Sequence, residues 1–202
     1  SGYYDELLVF DITTGKITIQ KFLNSFYYTS SYMYSSSDTL YSISSHYKDS
    51  TDNYLLWFQD TTLKQTSLNS LSNNSVFNPA LNTPLCENDT YIFVAFDTKI
   101  LVLRKKDRSF VSLIDKIYYN GEGYYMDSNS QYLYMTVMGS STKIVRYNIF
   151  SMTIPGFEPY ADEIDVSHLE YYTSTTLISC DEDRVYIGAK YYTTNIKRWN
   201  GP

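Results

Sequence analysis

Five short segments share one layout, and their spacing constrains the fold more than any other feature of the chain. They are Leu7-Leu8-Val9-Phe10-Asp11, Leu55-Leu56-Trp57-Phe58-Gln59, Ile100-Leu101-Val102-Leu103-Arg104, Ile144-Val145-Arg146-Tyr147-Asn148 and Asn195-Ile196-Lys197-Arg198-Trp199-Asn200. Aligned on Phe10, Phe58, Leu103, Tyr147 and Trp199, they recur at steps of 48, 45, 44 and 52 residues. Self-similarity at a period of about 47 is the mark of a chain built from equivalent supersecondary units.

Each of the first four segments runs into a polar turn and a second alternating strand. In Asp11-Ile12-Thr13-Thr14-Gly15-Lys16, leading to Ile17–Phe22, Gly15 supplies the positive φ that a tight hairpin needs. Leu63–Leu68, Ser109–Ile114 and Met152–Phe157 are the corresponding second strands of the next three units. Ahead of the aligned segments stand Asp38–Ile43, Asp89–Val94, Ser130–Met135 and Asp183–Gly188, which superpose on Tyr41, Phe93, Tyr134 and Tyr186. Shorter runs come earlier still: Tyr32-Met33-Tyr34, Leu85-Cys86, Tyr124-Tyr125-Met126 and Leu177–Cys180. Labelled a, b, c and d in chain order, these are four antiparallel strands per unit, with the aligned segments as c. The expected class is all-β, an array of four-stranded antiparallel blades. The 23 Tyr and ten Phe agree, because aromatic residues suit a pleated, half-buried surface.

On these residues the chain resembles the β-propeller superfamily, and Asp11-Ile12-Thr13-Thr14-Gly15-Lys16-Ile17 is similar to the strand-turn-strand signature of quinoprotein-like repeats. The Gly-His and Trp-Asp pairing of WD40 repeats and the Gly-Gly pair of kelch repeats are absent. The resemblance implies a β-propeller-like array spanning residues 1–202 as one domain or segment. The strand inventory is then a c-d half-blade, three full blades and an a-b-c blade, so both ends supply a c strand. An incomplete ring is expected, either part of a larger propeller of about six to eight blades or an irregular five-bladed one. Open blade edges of that kind invite association.

Charge and composition narrow the partners. The net charge of −6 argues against a nucleic-acid binder, which needs clustered Lys and Arg to neutralise phosphates. The densest basic run, Arg104-Lys105-Lys106-Asp107-Arg108, reads as a solvated hairpin turn, with a small anion patch as the alternative. No apolar run has the roughly 20 residues that span a bilayer. The sequons Asn73-Asn74-Ser75 and Asn88-Asp89-Thr90 are no more than this Asn-, Ser- and Thr-rich composition yields by itself. The compartment is open: sparse Lys with abundant Tyr, Ser, Thr and Asn leans toward a secreted or cell-surface protein. Cys86 and Cys180 lean the other way, since they sit near the ends of a strands, at nearly equivalent places in non-neighbouring units, and are expected to be free, mostly buried thiols.

Few arrangements could carry chemistry. His46 and His168 are the only histidines, too few for a zinc hydrolase site and poorly suited to a triad. The acidic stretch from Glu158 to Glu170 lacks a calcium-loop pattern, and Gly121-Glu122-Gly123 lacks the spacing of a phosphate loop. No cofactor, metal or catalytic set is expected. The a-b turns, Glu87-Asn88-Asp89, Asp127-Ser128-Asn129 and Asp181-Glu182-Asp183, should gather on one face as a polar rim. Asp89, Asp127, Asp181 and Asp183 are its candidate binding residues, joined by Tyr124, Tyr171 and Tyr191 from the aromatic doublets. Turn chemistry alone also favours Asp and Asn there. The functional expectation is a non-catalytic binding or scaffold module that presents a protein- or glycan-binding surface within a larger protein or assembly. The alternatives are a glycoside hydrolase or lyase using acids near the channel, and an intracellular propeller scaffold.

Overall fold

A computed structural model describes residues 6–10, 13–21, 26–35, 39–46, 53–59, 62–68, 84–96, 99–115, 125–137, 143–156, 158–164, 176–189 and 195–199. The protein is all-β, in five antiparallel sheets. The first pairs β1 (Glu6–Phe10) with β2 (Ile17–Lys21), across a turn in which Gly15 has φ 68°. The second holds β3 (Phe26–Ser35), β4 (Thr39–His46), β5 (Asn53–Gln59) and β6 (Thr62–Ser67). The third holds β7 (Leu85–Glu87), β8 (Tyr91–Ala95), β9 (Lys99–Arg104) and β10 (Phe110–Asp115). The fourth holds β11 (Met126–Ser128), β12 (Tyr132–Val137), β13 (Lys143–Asn148) and β14 (Ala161–Ile164). The fifth has three strands, β15 (Thr176–Cys180), β16 (Val185–Ala189) and β17 (Asn195–Trp199). In every sheet the strands pair in chain order. The five aligned segments are β1, β5, β9, β13 and β17; Asp11 and Asn200 lie outside the described residues.

The register between the second and third strands of each larger sheet follows the sequence alignment. Tyr41 faces Trp57, Phe93 faces Val102, Tyr134 faces Arg146 and Tyr186 faces Arg198. In each case the partner is the residue just before the aligned position. A slip of one residue would turn every side chain of a strand to the opposite face, so a shared register means a shared set of inward residues.

Those residues pack between successive sheets. Tyr41, Ile43, Leu55 and Trp57 of the second sheet meet Leu85, Ile92, Val94, Leu101 and Leu103 of the third. The other face of the third sheet, with Cys86, Phe93, Ile100 and Val102, meets Leu133, Met135, Val145 and Tyr147 of the fourth. Tyr134, Ile144 and Ile164 turn from the fourth sheet toward Ile178, Val185 and Ile187 of the fifth. Because side chains alternate across a strand, a sheet covered on both faces needs a continuous apolar run. Tyr91–Ala95 and Lys99–Arg104 are such runs, buried without interruption from Ile92 to Ala95 and from Ile100 to Leu103. The first strands lie side by side, β7 next to β11 and β11 next to β15, with β3 approaching β7. No closed ring of sheets is found among the described residues. Nor is any helix among them long and apolar enough to cross a membrane.

Two expectations need correction. Met152–Phe157 is not the outer strand of the fourth sheet; that place is taken by β14, and a one-turn helix, α1 (Ile149–Met152), follows β13. As a strand, Ile149 and Met152 would face opposite ways, whereas on a helical turn the i, i+3 pair shares one face, and both are buried between the third and fourth sheets. Asn148 Oδ1 accepts the Ser151 N–H at 3.0 Å and caps the turn, and Ser112 Oγ donates to Met152 O at 2.6 Å. Gly156, at φ 75°, then lets the chain return. The register of β14 is held by a bidentate pair in which Arg146 Nε and Nη2 donate to Asp162 at 3.0 and 2.6 Å. The second correction concerns the third a strand, which is Met126–Ser128 and not Tyr124–Met126. Asp127 and Ser128 thus belong to a strand and not to the turn.

The cysteines are both free, Cys86 buried and Cys180 half-buried, but their positions are not equivalent. Cys86 faces Phe93, while Cys180 faces Val185, the residue before Tyr186 in the shared register. One position apart, they point to opposite faces: Cys86 into the layer between the third and fourth sheets, Cys180 against the layer between the fourth and fifth.

Candidate functional site

The turns that join the first and second strands open with Asn88, Asn129 and Asp181. In each, the N–H of the opening residue donates to the carbonyl three residues on, that of Tyr91, Tyr132 or Arg184, at 3.0 Å. The opening side chain also accepts from its own turn. Asn88 Oδ1 takes the N–H of Thr90 and Tyr91 at 2.9 and 2.8 Å, and Asn129 Oδ1 those of Gln131 and Tyr132 at 3.0 and 2.8 Å. Asp181 Oδ1 takes the Asp183 N–H at 2.9 Å, a bond that holds its carboxyl below the usual range. These are Asx turns, in which the side chain stands in for a backbone acceptor.

The amides have a second partner. Asn88 Nδ2 donates to Asn129 O at 3.0 Å, and Asn129 Nδ2 donates to Asp181 O at 3.3 Å. Each Asn therefore closes its own hairpin and ties it to the next, which fixes three hairpin tips as one surface. Asp181 has no amide to donate; its Oδ2 accepts the Tyr186 hydroxyl at 3.0 Å instead.

A cleft of about 480 Å³ opens between these tips. Asp89 and Thr90 stand exposed on one side, and Ser130 stands on the other with the Glu182 carboxylate, which accepts the Ser130 N–H at 3.1 Å and its hydroxyl. Tyr91 and Lys105 line it as well, and Lys105 N is tied to the Thr90 carbonyl at 2.8 Å. Part of the wall is Glu87, only 6% exposed. Lys105 Nζ lies 2.9 Å from Glu87 Oε1, outside hydrogen-bond angles, and the Tyr41 hydroxyl is near enough to feel the carboxylate, but no donor meets either oxygen in full hydrogen-bond geometry.

Behind Glu87 lies an aromatic and cationic cluster between the second and third sheets. The basic run Arg104–Arg108 does form the β9–β10 turn, but Arg108 is folded inward, with its guanidinium 5.0 Å from the Trp57 ring centre and 6.0 Å from that of Tyr41. Its Nη2 donates to the Tyr41 hydroxyl at 3.3 Å. Arg108 is held at φ 60°, a left-handed conformation that costs a side chain of this size on the order of 1 kcal/mol, and the ring contacts help hold it there. Burial first, and then the negative charge of Glu87, push the Tyr41 hydroxyl up to about 12, against the pull of Arg108. An unfolded Tyr titrates near about 10. With the folded value the higher one, the contribution is complete below pH 10 and is lost as pH rises through 12. Wild type should lose stability over this window by an amount of order 2 kcal/mol, and Tyr41→Phe should flatten the loss. Urea denaturation across the alkaline range checks this; equal slopes for the two proteins would refute it.

The candidate residues named from sequence fall into four groups. Asp89 reaches the cleft. Asp181 and Asp183 are exposed in the β15–β16 turn outside the cleft, and the neighbour between them, Glu182, enters it. Asp127 is not a rim residue: its Oδ2 accepts Cys180 N–H at 2.8 Å and Ser179 hydroxyl at 2.9 Å, and its Oδ1 accepts Ser128 N–H at 2.9 Å. Tyr124, Tyr171 and Tyr191 lie outside the described residues. Glu87, Asn129 and Glu182 stand in the turns expected to form the rim, and Lys105 in the basic run, but the sequence does not single them out as binding residues, although an Asn or Asp that opens every such turn is a readable signal for the tips. Among the described residues no group of three or more His, Cys, Asp or Glu side chains is placed to hold a metal ion. The cleft offers three carboxylates and one ammonium, no histidine lines it, and the Ser130 hydroxyl is bound to the Glu182 carboxylate. That composition suits recognition of positive charge.

Burial and then the Asp127 charge raise both thiols, Cys86 and Cys180. Both should react slowly with Ellman's reagent at pH 8 in the native protein and at once in denaturant, because the thiolate is the attacking species. Rapid native reaction of two thiols would contradict this burial. No protein-family model matches the chain, and no curated protein is similar to it.

Proposed function

We propose that the chain is a non-catalytic binding module, built as a run of β-propeller blades, that presents its a-b hairpin tips to a protein partner. The observation that carries this reading is the serial linkage of the tips: Asn88 to Asn129 and Asn129 to Asp181, around a polar cleft. Turns locked to one another form a rigid platform, and a rigid platform lowers the ordering cost of binding. The three apolar layers between four successive sheets, with first strands side by side, support the blade arrangement. A protein partner fits better than a neutral glycan, because the Asn amides that would pair with sugar hydroxyls are used within and between the turns. The edges of β1 and β17 that are unpaired among the described residues are the places for further strands in a larger assembly.

The test is selection of binders from a displayed random-peptide library, run beside a glycan array and a panel of glycoside substrates. Selected peptides should slow amide exchange at 88–91, 129–132 and 181–184. Binders that map only elsewhere, glycan binding alone, or glycoside cleavage would each overturn the reading.

A further inference from the structure

We infer that the cleft between the β7–β8 and β11–β12 tips receives a guanidinium or ammonium side chain from a basic segment of the partner polypeptide. The inference rests on the binding-module reading and names the chemistry of its site. Glu87, Asp89 and Glu182 set three carboxylates in the cleft against the single ammonium of Lys105. Charge excess on turns would carry little by itself; Glu87 adds an independent reason. Its side chain is 3% exposed, and only the Lys105 ammonium at 2.9 Å and the Tyr41 hydroxyl stand against it, neither in full hydrogen-bond geometry, an incomplete and costly set for a carboxylate inside a protein.

Lys105 is an incomplete partner. It meets only one oxygen, at 2.9 Å and off angle, and its side chain is 25% exposed on a flexible stem. An incoming guanidinium presents two parallel N–H donors that match both carboxylate oxygens, which an ammonium point charge does not. Lys105 thus acts as a resident competitor that swings away when the ligand enters. Glu182 and Asp89 then flank the bound cation, and Tyr91 offers apolar surface to its stem. The volume of about 480 Å³ admits a long side chain with part of its backbone. An anion is disfavoured by the acid excess. A bare metal ion is disfavoured because no three ligating side chains converge among the described residues.

The experiment titrates the full chain with an arginine-containing basic hexapeptide, with neutral and acidic hexapeptides of equal length, and with spermine, by calorimetry with NMR mapping. The basic hexapeptide should bind, shift the amides of residues 88–91 and 129–131, and weaken as salt rises. Glu87→Gln and Glu182→Gln should each weaken it at least tenfold, and Lys105→Met should strengthen it severalfold by removing the competitor. Glu182 is exposed, so its variant keeps the test valid if Glu87→Gln fails to fold. Unchanged affinity in Glu182→Gln, or weaker binding by folded Lys105→Met, overturns the inference. Tighter binding of spermine than of the peptide at the same amides also overturns it, by assigning the cleft to a free amine. Binding of neutral or acidic peptides at the tips overturns it as well, while leaving the binding-module reading standing.

Discussion

Phe93→Ala and Ile92→Ala are each expected to destabilise the protein severely, by about 3–5 and 2–5 kcal/mol respectively. They are neighbours on β8 and point to opposite faces of the third sheet. Phe93 enters the layer shared with the fourth sheet and Ile92 the layer shared with the second, both with no exposed surface. In a sheet with one face in water, one of two adjacent residues can be truncated at little cost. Here neither can be, because each leaves a cavity lined by side chains that collapse only in part. Urea denaturation of both single variants measures this, with the midpoint as readout and an unchanged slope as the check on two-state behaviour. A loss below about 0.5 kcal/mol for either variant would mean that its face is not packed. The double variant need not give the sum, since the two share backbone and cooperative sheet pairing.

The strands were legible because two-sided burial writes itself into the sequence as aromatic and aliphatic runs at a fixed spacing. Tyr41, Phe93, Tyr134 and Tyr186, superposed from sequence, take equivalent places opposite Trp57, Val102, Arg146 and Arg198. The segment after Asn148 was misread because Met152–Phe157 begins with alternating apolar residues. Its conformation is decided by a cap, an i, i+3 contact with the neighbouring sheet and a glycine at φ 75°. The cleft was legible only in outline. That Asp and Asn gather at the tips follows from turn chemistry, but which of them face one cavity depends on packing between units. Glu87 and Ser130 are 43 residues apart, and Ser130 meets Glu182 a further 52 along. That β11 ends at Ser128, two residues beyond Met126, also decided that Asp127 turns between strands, while Glu182, in the turn after β15, enters the cleft.

Asp127 should show that difference as a stability effect. Its carboxylate holds β11 against β15 by accepting the Cys180 N–H and the Ser179 hydroxyl, and it accepts the Ser128 N–H within its own strand. Asp127→Ala leaves two backbone donors and a hydroxyl without this acceptor, and the loss should be about 3 kcal/mol, since bonds to a charged acceptor exceed neutral ones. Asp127→Asn keeps one carbonyl oxygen and replaces the other with a donor that faces a donor, so roughly half the loss should remain. The thiols give a second readout. The Asp127 charge is the largest cause after burial that raises Cys86 and Cys180. In folded Asp127→Asn the pH midpoint of Cys180 alkylation should therefore move down. A rim aspartate facing solvent would give neither result: its alanine variant would stay within about 0.5 kcal/mol of wild type, and the Cys180 profile would not move.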